Sequence, residues 1–114
     1  AKPFLMMAGS FTRSNDPDAQ EFWTRLTGWR RYLELEGAEE LAFTDNEGII
    51  GPATPLLGLT PAQVQGFVGT MDPAEGVRIQ LAYPRAFFDL HLRHRPGRLL
   101  DGPSPAFPEV KFIP

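Results

Sequence analysis

The chain has 114 residues and a formal net charge of −3, with eleven Lys and Arg against fourteen Asp and Glu. That length suits one domain or part of a larger one. The cationic residues are scattered apart from Arg30-Arg31 and the group Arg93, Arg95 and Arg98, so there is no nucleic-acid footprint. Cysteine is absent, which excludes disulfides and thiolate metal sites.

The amino terminus runs almost directly into an apolar stretch, Phe4-Leu5-Met6-Met7, which ends at Gly9. A short continuous apolar run predicts a strand buried on both faces, the kind found inside a parallel sheet. Ser10 to Asp16 is polar. Asp16 followed by Pro17 predicts a helix start, with a capping carboxylate and proline at the first helical position. Ala19, Phe22, Trp23 and Leu26 then form one apolar stripe, and Gly28 is expected to stop the helix.

Residues 29–35 alternate as a second strand. Trp29, Arg31, Leu33 and Leu35 share one face, and Arg30, Tyr32 and Glu34 the other. The half-polar alternation predicts an edge strand. Strand, helix and strand in this span make a βαβ unit, so the two strands should be parallel with a right-handed crossover.

From Asp45 to Leu59 glycine and proline dominate, and a loop is expected. Thr60-Pro61-Ala62-Gln63 has the form of a capping box opening a short helix through about Val68. Asp72-Pro73-Ala74-Glu75 repeats the device and opens a longer helix, whose apolar stripe is read as Val77, Leu81, Phe88 and Leu92. Pro84 predicts a kink, or two helices meeting at Tyr83, because its ring collides with the carbonyl of Gln80 and it has no amide proton. After Arg95 the prolines predict an extended tail, pinned by Phe107, Val110 and Phe112.

Three segments carry a resemblance: "KPFLMMAG", "FWTRLTGWRRYLELEGAEELAFTD" and "AFFDLHLRHRPGRLLDGPSPAFPEVKF". Their order resembles the carboxyl-terminal part of an α/β-hydrolase. The branch is that of the secreted actinobacterial lipases and esterases related to platelet-activating-factor acetylhydrolases. The resemblance covers nearly the whole chain, 1–114, but only the final portion of such an enzyme. It implies a partial α/β-hydrolase fold: two parallel strands with a crossover helix, then carboxyl-terminal helices and an extended tail.

In that family the loop after the last strand has a pattern like Gly-Ala-x-His-x-x-Phe-Thr-Asp. Gly37, Ala38, Phe43, Thr44 and Asp45 match it, and Glu40 occupies the histidine position. The nucleophile would sit in a Gly-x-Ser-x-Gly elbow, which this chain lacks, and the aspartate is expected before Ala1. The resemblance therefore implies a serine esterase or lipase segment that is inactive alone, with an acyl ester substrate only in the complete enzyme. The rival expectation is a truncated, non-enzymatic homologue acting as an assembly or interaction module.

Glu40 is the one candidate catalytic residue, yet glutamate suits the role poorly. A triad base takes a hydroxyl proton near neutral pH. Imidazole titrates at about 6.5 and glutamate at about 4.3 unless burial raises it. The plainer expectation is that Glu39 and Glu40 begin a short helix and favour its positive end.

His91 and His94, three apart on the last helix, are expected to be structural, since a metal would need further ligands. Arg30-Arg31 is read as a solvated or ion-paired edge, and Trp23 and Trp29 as core contacts. Ser10, lacking a neighbouring base, is read as a turn serine. No cofactor and no metal is called for. No apolar run reaches membrane-spanning length and no signal peptide is present, so the chain is expected to be cytoplasmic or cut from a longer one. The expected partners are a second copy of the chain or a missing amino-terminal hydrolase part, because the first strand has one neighbour at most.

Overall fold

The computed structural model describes residues 1–44 and 46–114. Asp45, the last residue of the expected loop motif, lies outside the described residues. The chain begins with strand β1 (Phe4–Ala8), helix α1 (Pro17–Arg25) and strand β2 (Arg30–Leu35). β1 and β2 are parallel, with Phe4 opposite Arg30 and Ala8 opposite Glu34. Asp16 caps α1 as expected, its Oδ1 accepting from the amides of Asp18 (3.1 Å) and Ala19 (3.2 Å). The helix ends at Leu26, short of Gly28.

A third strand, β3 (Val110–Ile113), lies antiparallel on the far edge of β2, pairing Leu35 with Val110 and Tyr32 with Ile113. The order is β1-β2-β3, so β2 is central. This corrects the edge-strand reading of residues 29–35. The polar residues that suggest an edge have sheltered ends. Tyr32 is buried edge-on against Trp23 of α1. Arg30 lays its guanidinium over the same ring and donates to the carbonyls of Trp23 and Leu26. Long amphipathic side chains can cover a sheet face while their tips find partners. The tail expected to be extended is instead mostly turns, closed by the Asp101 amide on the Arg98 carbonyl and the Phe107 amide on the Ser104 carbonyl; Phe107 and Val110 are buried, and only the last segment is extended, as the strand that encloses β2.

β1 is less covered than its apolar run predicts. Phe4 is 38% exposed and meets Phe22 edge-on, both near the surface. The remaining residues of the strand are only partly buried. β2 is its one strand neighbour among the described residues.

A short 3₁₀ turn, Glu40–Phe43, follows β2. The expected loop after it is instead helix α2 (Asn46–Leu57), with Pro52 and Pro55 inside. Each interior proline costs about 3 kcal/mol in local propensity. Packing overrides that cost, because α2 lies against the 3₁₀ turn and both following helices. Gly48 brings it close to Val77, and the Thr54 hydroxyl donates to the carbonyl of Ile50 (2.7 Å).

Helix α3 (Pro61–Val68) has its capping box as expected. The Gln63 amide donates to Thr60 Oγ1 (3.2 Å), and the Thr60 amide to Gln63 Oε1 (2.9 Å). Helix α4 (Pro73–His91) starts on Asp72, whose Oδ1 accepts from the amide of Ala74 (2.8 Å).

α4 runs as one helix through Pro84 rather than as two. Its buried stripe is Gly76, Ile79 and Tyr83, facing Leu33 and Leu35 of the sheet. The stripe expected from the sequence is the other face. Leu81, Phe88 and Leu92 are 68%, 51% and 70% exposed. Both stripes have helical period, and only the position of the sheet chooses between them.

Candidate functional site

The carboxyl ends of β1 and β2 lie at one edge of the sheet, where open α/β sheets place their ligands. β1 delivers Gly9 and Ser10, and β2 delivers Gly37, Ala38 and Glu39. The two loops touch through backbone. A Cβ on Gly9 would stand 2.5 Å from the carbonyl oxygen of Ala38, so only glycine permits the approach.

The segment after α3 closes the other side. Gly69 has φ +90°, and a Cβ there would stand 1.9 Å from the Gly37 carbonyl oxygen. That carbonyl accepts from the amides of Thr70 (2.8 Å) and Met71 (3.1 Å), while the Glu39 amide donates to the Val68 carbonyl (3.3 Å). Gln80 of α4 donates through Nε2 to the carbonyl of Ala42. The 3₁₀ turn is therefore held from β1, α3 and α4 together.

Between these walls lies a cleft of about 330 Å³, lined by Gly9, Ser10, Glu39, Gln65 and Thr70, with Glu34, Glu36 and Lys111 at one side. Lys111 Nζ pairs with Glu36 Oε2 at 3.1 Å. A neighbouring apolar groove of about 650 Å³ shares Gln65, Gly69 and Thr70 and adds Pro55, Val64 and Met71.

Glu39 and Glu40 do begin a short helical turn, as expected. Their side chains part company. Glu40 is exposed and has no hydrogen bond or ion pair among the described residues. Glu39 is half-buried, and its Oε2 accepts from the Ser10 hydroxyl at 2.6 Å. This corrects the reading of Ser10 as a turn serine without a neighbouring base, because a carboxylate is its neighbour. A weak signal points there, since the βαβ pattern puts the ends of both strands, and hence both residues, on one edge.

The remaining candidates resolve into structural parts. Trp23 is buried, and Trp29 packs on Phe87 and on the His91 ring, at 4.4 Å from the latter. His94 lies past the helix end with φ +52°, so it shares no helical face with His91. No group of three or more His, Cys, Asp or Glu among the described residues could hold a metal. Arg30 and Arg31 are part-buried, and their partners among the described residues are carbonyls rather than carboxylates. Arg30 caps the carbonyl end of α1, and Arg31 Nε donates to the carbonyl of Leu100 (2.8 Å). The displaced titrations belong to core phenols. Burial, then the charge of Glu109, pushes Tyr83 up to about 12, and burial also raises Tyr32.

A parallel βαβ unit with a third antiparallel strand, covered by a long helix and bearing its cleft at the strand ends, is a partial α/β fold. Comparison with known proteins finds similarity to parts of esterases. A ferulic acid esterase from Streptomyces cinnamoneus, of known structure, is 40% identical and superposes with a TM-score of 0.80 over 99% of this chain and 34% of its own. A probable 1-alkyl-2-acetylglycerophosphocholine esterase from Arthroderma benhamiae is 26% identical over 119 aligned positions, 98% of this chain and 30% of that protein. No protein-family model matches. The chain thus spans about a third of the length of the esterases it resembles. The resemblance to part of an esterase of the α/β-hydrolase type is borne out.

Proposed function

We propose that this chain is the segment of a carboxylic ester hydrolase that carries the third triad position, with Glu40 where the family has histidine, and that it is inactive alone. The observation that supports this reading most is the 40% identity to a ferulic acid esterase, at a TM-score of 0.80 across 99% of the chain but only 34% of that enzyme. The chemistry argues for inactivity. Ester hydrolysis by a triad needs a nucleophile, a base that cycles a proton near neutral pH, and a group that orients the base. The chain has no Gly-x-Ser-x-Gly elbow, and a carboxylate is a much weaker base than imidazole. Acyl esters are the substrate class of the complete enzyme.

The isolated chain is expected to leave short-chain p-nitrophenyl esters at the buffer rate, and Glu40→His alone should recover nothing. Joined to an amino-terminal segment that carries the serine elbow and the aspartate, the same substitution should raise turnover by orders of magnitude, because triad members act as a unit. Turnover by the isolated chain that disappears with Glu40→Gln would overturn the proposal. So would the absence of any rise in the joined protein. The second reading, a non-catalytic assembly module, is favoured by the open edge of β1 and the exposed rings of Phe4, Phe11 and Phe22.

A further inference from the structure

We propose that the cleft at the amino end of β2 is a binding site for a carboxylate with an apolar body, its two oxygens held by the free edge of the Arg30 guanidinium. It lies at the opposite end of β2 from the Gly9–Glu39 cleft and is independent of position 40.

The cleft measures about 540 Å³ and is bounded by Trp23, Trp29, Arg30, Arg31, Asp101 and Phe112. Arg30 is the first residue of β2, and its guanidinium is fixed by bonds to the protein. Nη1 donates to the carbonyls of Trp23 and Leu26, and the group lies over the Trp23 ring at 4.4 Å. Those bonds use one nitrogen only. Nε and Nη2, which form a parallel fork along the other edge, have no partner among the described residues. Neither is a buried unpartnered atom, so the fork opens to solvent. A planar fork of this kind matches the two oxygens of a carboxylate. Because it is already held in place, binding costs little further ordering.

The charge around the fork is unbalanced. Arg13 stacks on the same Trp23 ring at 4.7 Å, and Arg31 lies over Trp29 at 5.0 Å. Both donate to carbonyls, and none of the three arginines has an ion pair among the described residues. Part-sheltered cations without a counter-charge repel one another more than they would in open water. The one acid on the wall is Asp101, which is exposed and forms no ion pair among the described residues. An anion is the missing complement. The rest of the wall says what the anion carries, because Phe112 and the two indoles offer apolar surface that a bare inorganic ion would leave unfilled.

The test uses the 114-residue chain and its tryptophan fluorescence, since its two tryptophans both bound the cleft. Benzoate is titrated at constant ionic strength. Acetate, which has the charge without the body, and benzamide, which has the body without the charge, are the comparators. A saturable change with benzoate is expected, with either comparator at least about tenfold weaker. Arg30→Lys keeps the charge and the long stem but has no fork, and should weaken benzoate binding about tenfold. Asp101→Asn removes the one acid from the wall and should tighten it severalfold. Each variant is first checked for an unchanged thermal unfolding transition, and if Arg30→Lys shifts that transition, Asp101→Asn decides alone. The absence of a saturable benzoate response would overturn the inference, as would benzamide or acetate binding equally well. So would a folded Arg30→Lys chain that binds like the parent, or an Asp101→Asn chain that binds no tighter.

Discussion

Replacing Tyr83 with phenylalanine should stabilise the chain at neutral pH and stabilise it more in alkali. The side chain is 0% exposed, and its hydroxyl has no hydrogen-bond partner among the described residues. Its ring packs edge-on to Phe107 at 5.3 Å, a contact that phenylalanine retains. A buried polar group without a partner costs about 1–3 kcal/mol. Removing one oxygen leaves a small void, so a net gain of about 1 kcal/mol is expected. The alkaline part follows from linkage. Burial, then Glu109, pushes the phenol up from 10.0 to about 12 in the folded chain. Between those values the unfolded chain loses its proton and the folded chain keeps it. The contribution is therefore intact below pH 10 and lost as pH rises through 12. Two units correspond to roughly 3 kcal/mol in all, most of which is gone at about pH 11.5. Urea unfolding followed by tryptophan fluorescence, at neutral pH and at that alkaline pH, measures both parts. A Tyr83→Phe chain less stable at neutral pH would show that the hydroxyl has a partner. An unchanged alkaline loss would refute the assignment of that loss to Tyr83.

Gly69→Ala should cost at least about 2 kcal/mol, since a Cβ there would overlap the Gly37 carbonyl and the backbone sits at φ +90°; a urea midpoint equal to the parent's would show that the two loops do not approach so closely. Pro84→Ala restores an amide opposite the Gln80 carbonyl and should raise the melting temperature, proline's interior penalty being about 3 kcal/mol. A fall would mean that the shape of the proline ring is needed for α4 to fit the sheet. The free edge of β1 should make the isolated chain associate, or stay incomplete without an added strand. Light scattering after size exclusion, with amide exchange at Leu5 to Met7, decides this, and a monodisperse monomer with slowly exchanging amides there would contradict it.

The parts of this fold that are legible in the sequence are those decided within one helical turn or one strand. Asp16-Pro17, Thr60 with Gln63, and Asp72-Pro73 each mark a helix start because capping is a bond between near neighbours. The hidden parts depend on distant partners. β2 reads as an edge until β3 arrives from the far end of the chain. α2 reads as a loop because proline and glycine penalise it locally, and only its packing on α4 and the 3₁₀ turn offsets that penalty. The buried face of α4 is fixed by the sheet rather than by its own period. The Ser10–Glu39 bond is of the same kind, since no spacing rule connects positions 29 apart.

Register is what converts the hidden contacts into a site. Ala8 stands opposite Glu34, which brings Gly9 level with Leu35 and Ser10 level with Glu36, where the chain leaves β2. A slip of one residue would carry Leu33 and Leu35 from the α4 face to the opposite one, because side chains alternate with a period of two. Both leucines are buried, at 0% and 3% exposure, so the slip would expose or misplace much of the core. β3 adds a second lock through Leu35 opposite Val110 and the Glu36 amide donating to the Glu109 carbonyl at 2.9 Å. The placement of Ser10 beside Glu39 is thus enforced by the burial of two leucines against α4. Substitutions at Leu33 or Leu35 should disturb the cleft even though neither contributes a polar side chain to it.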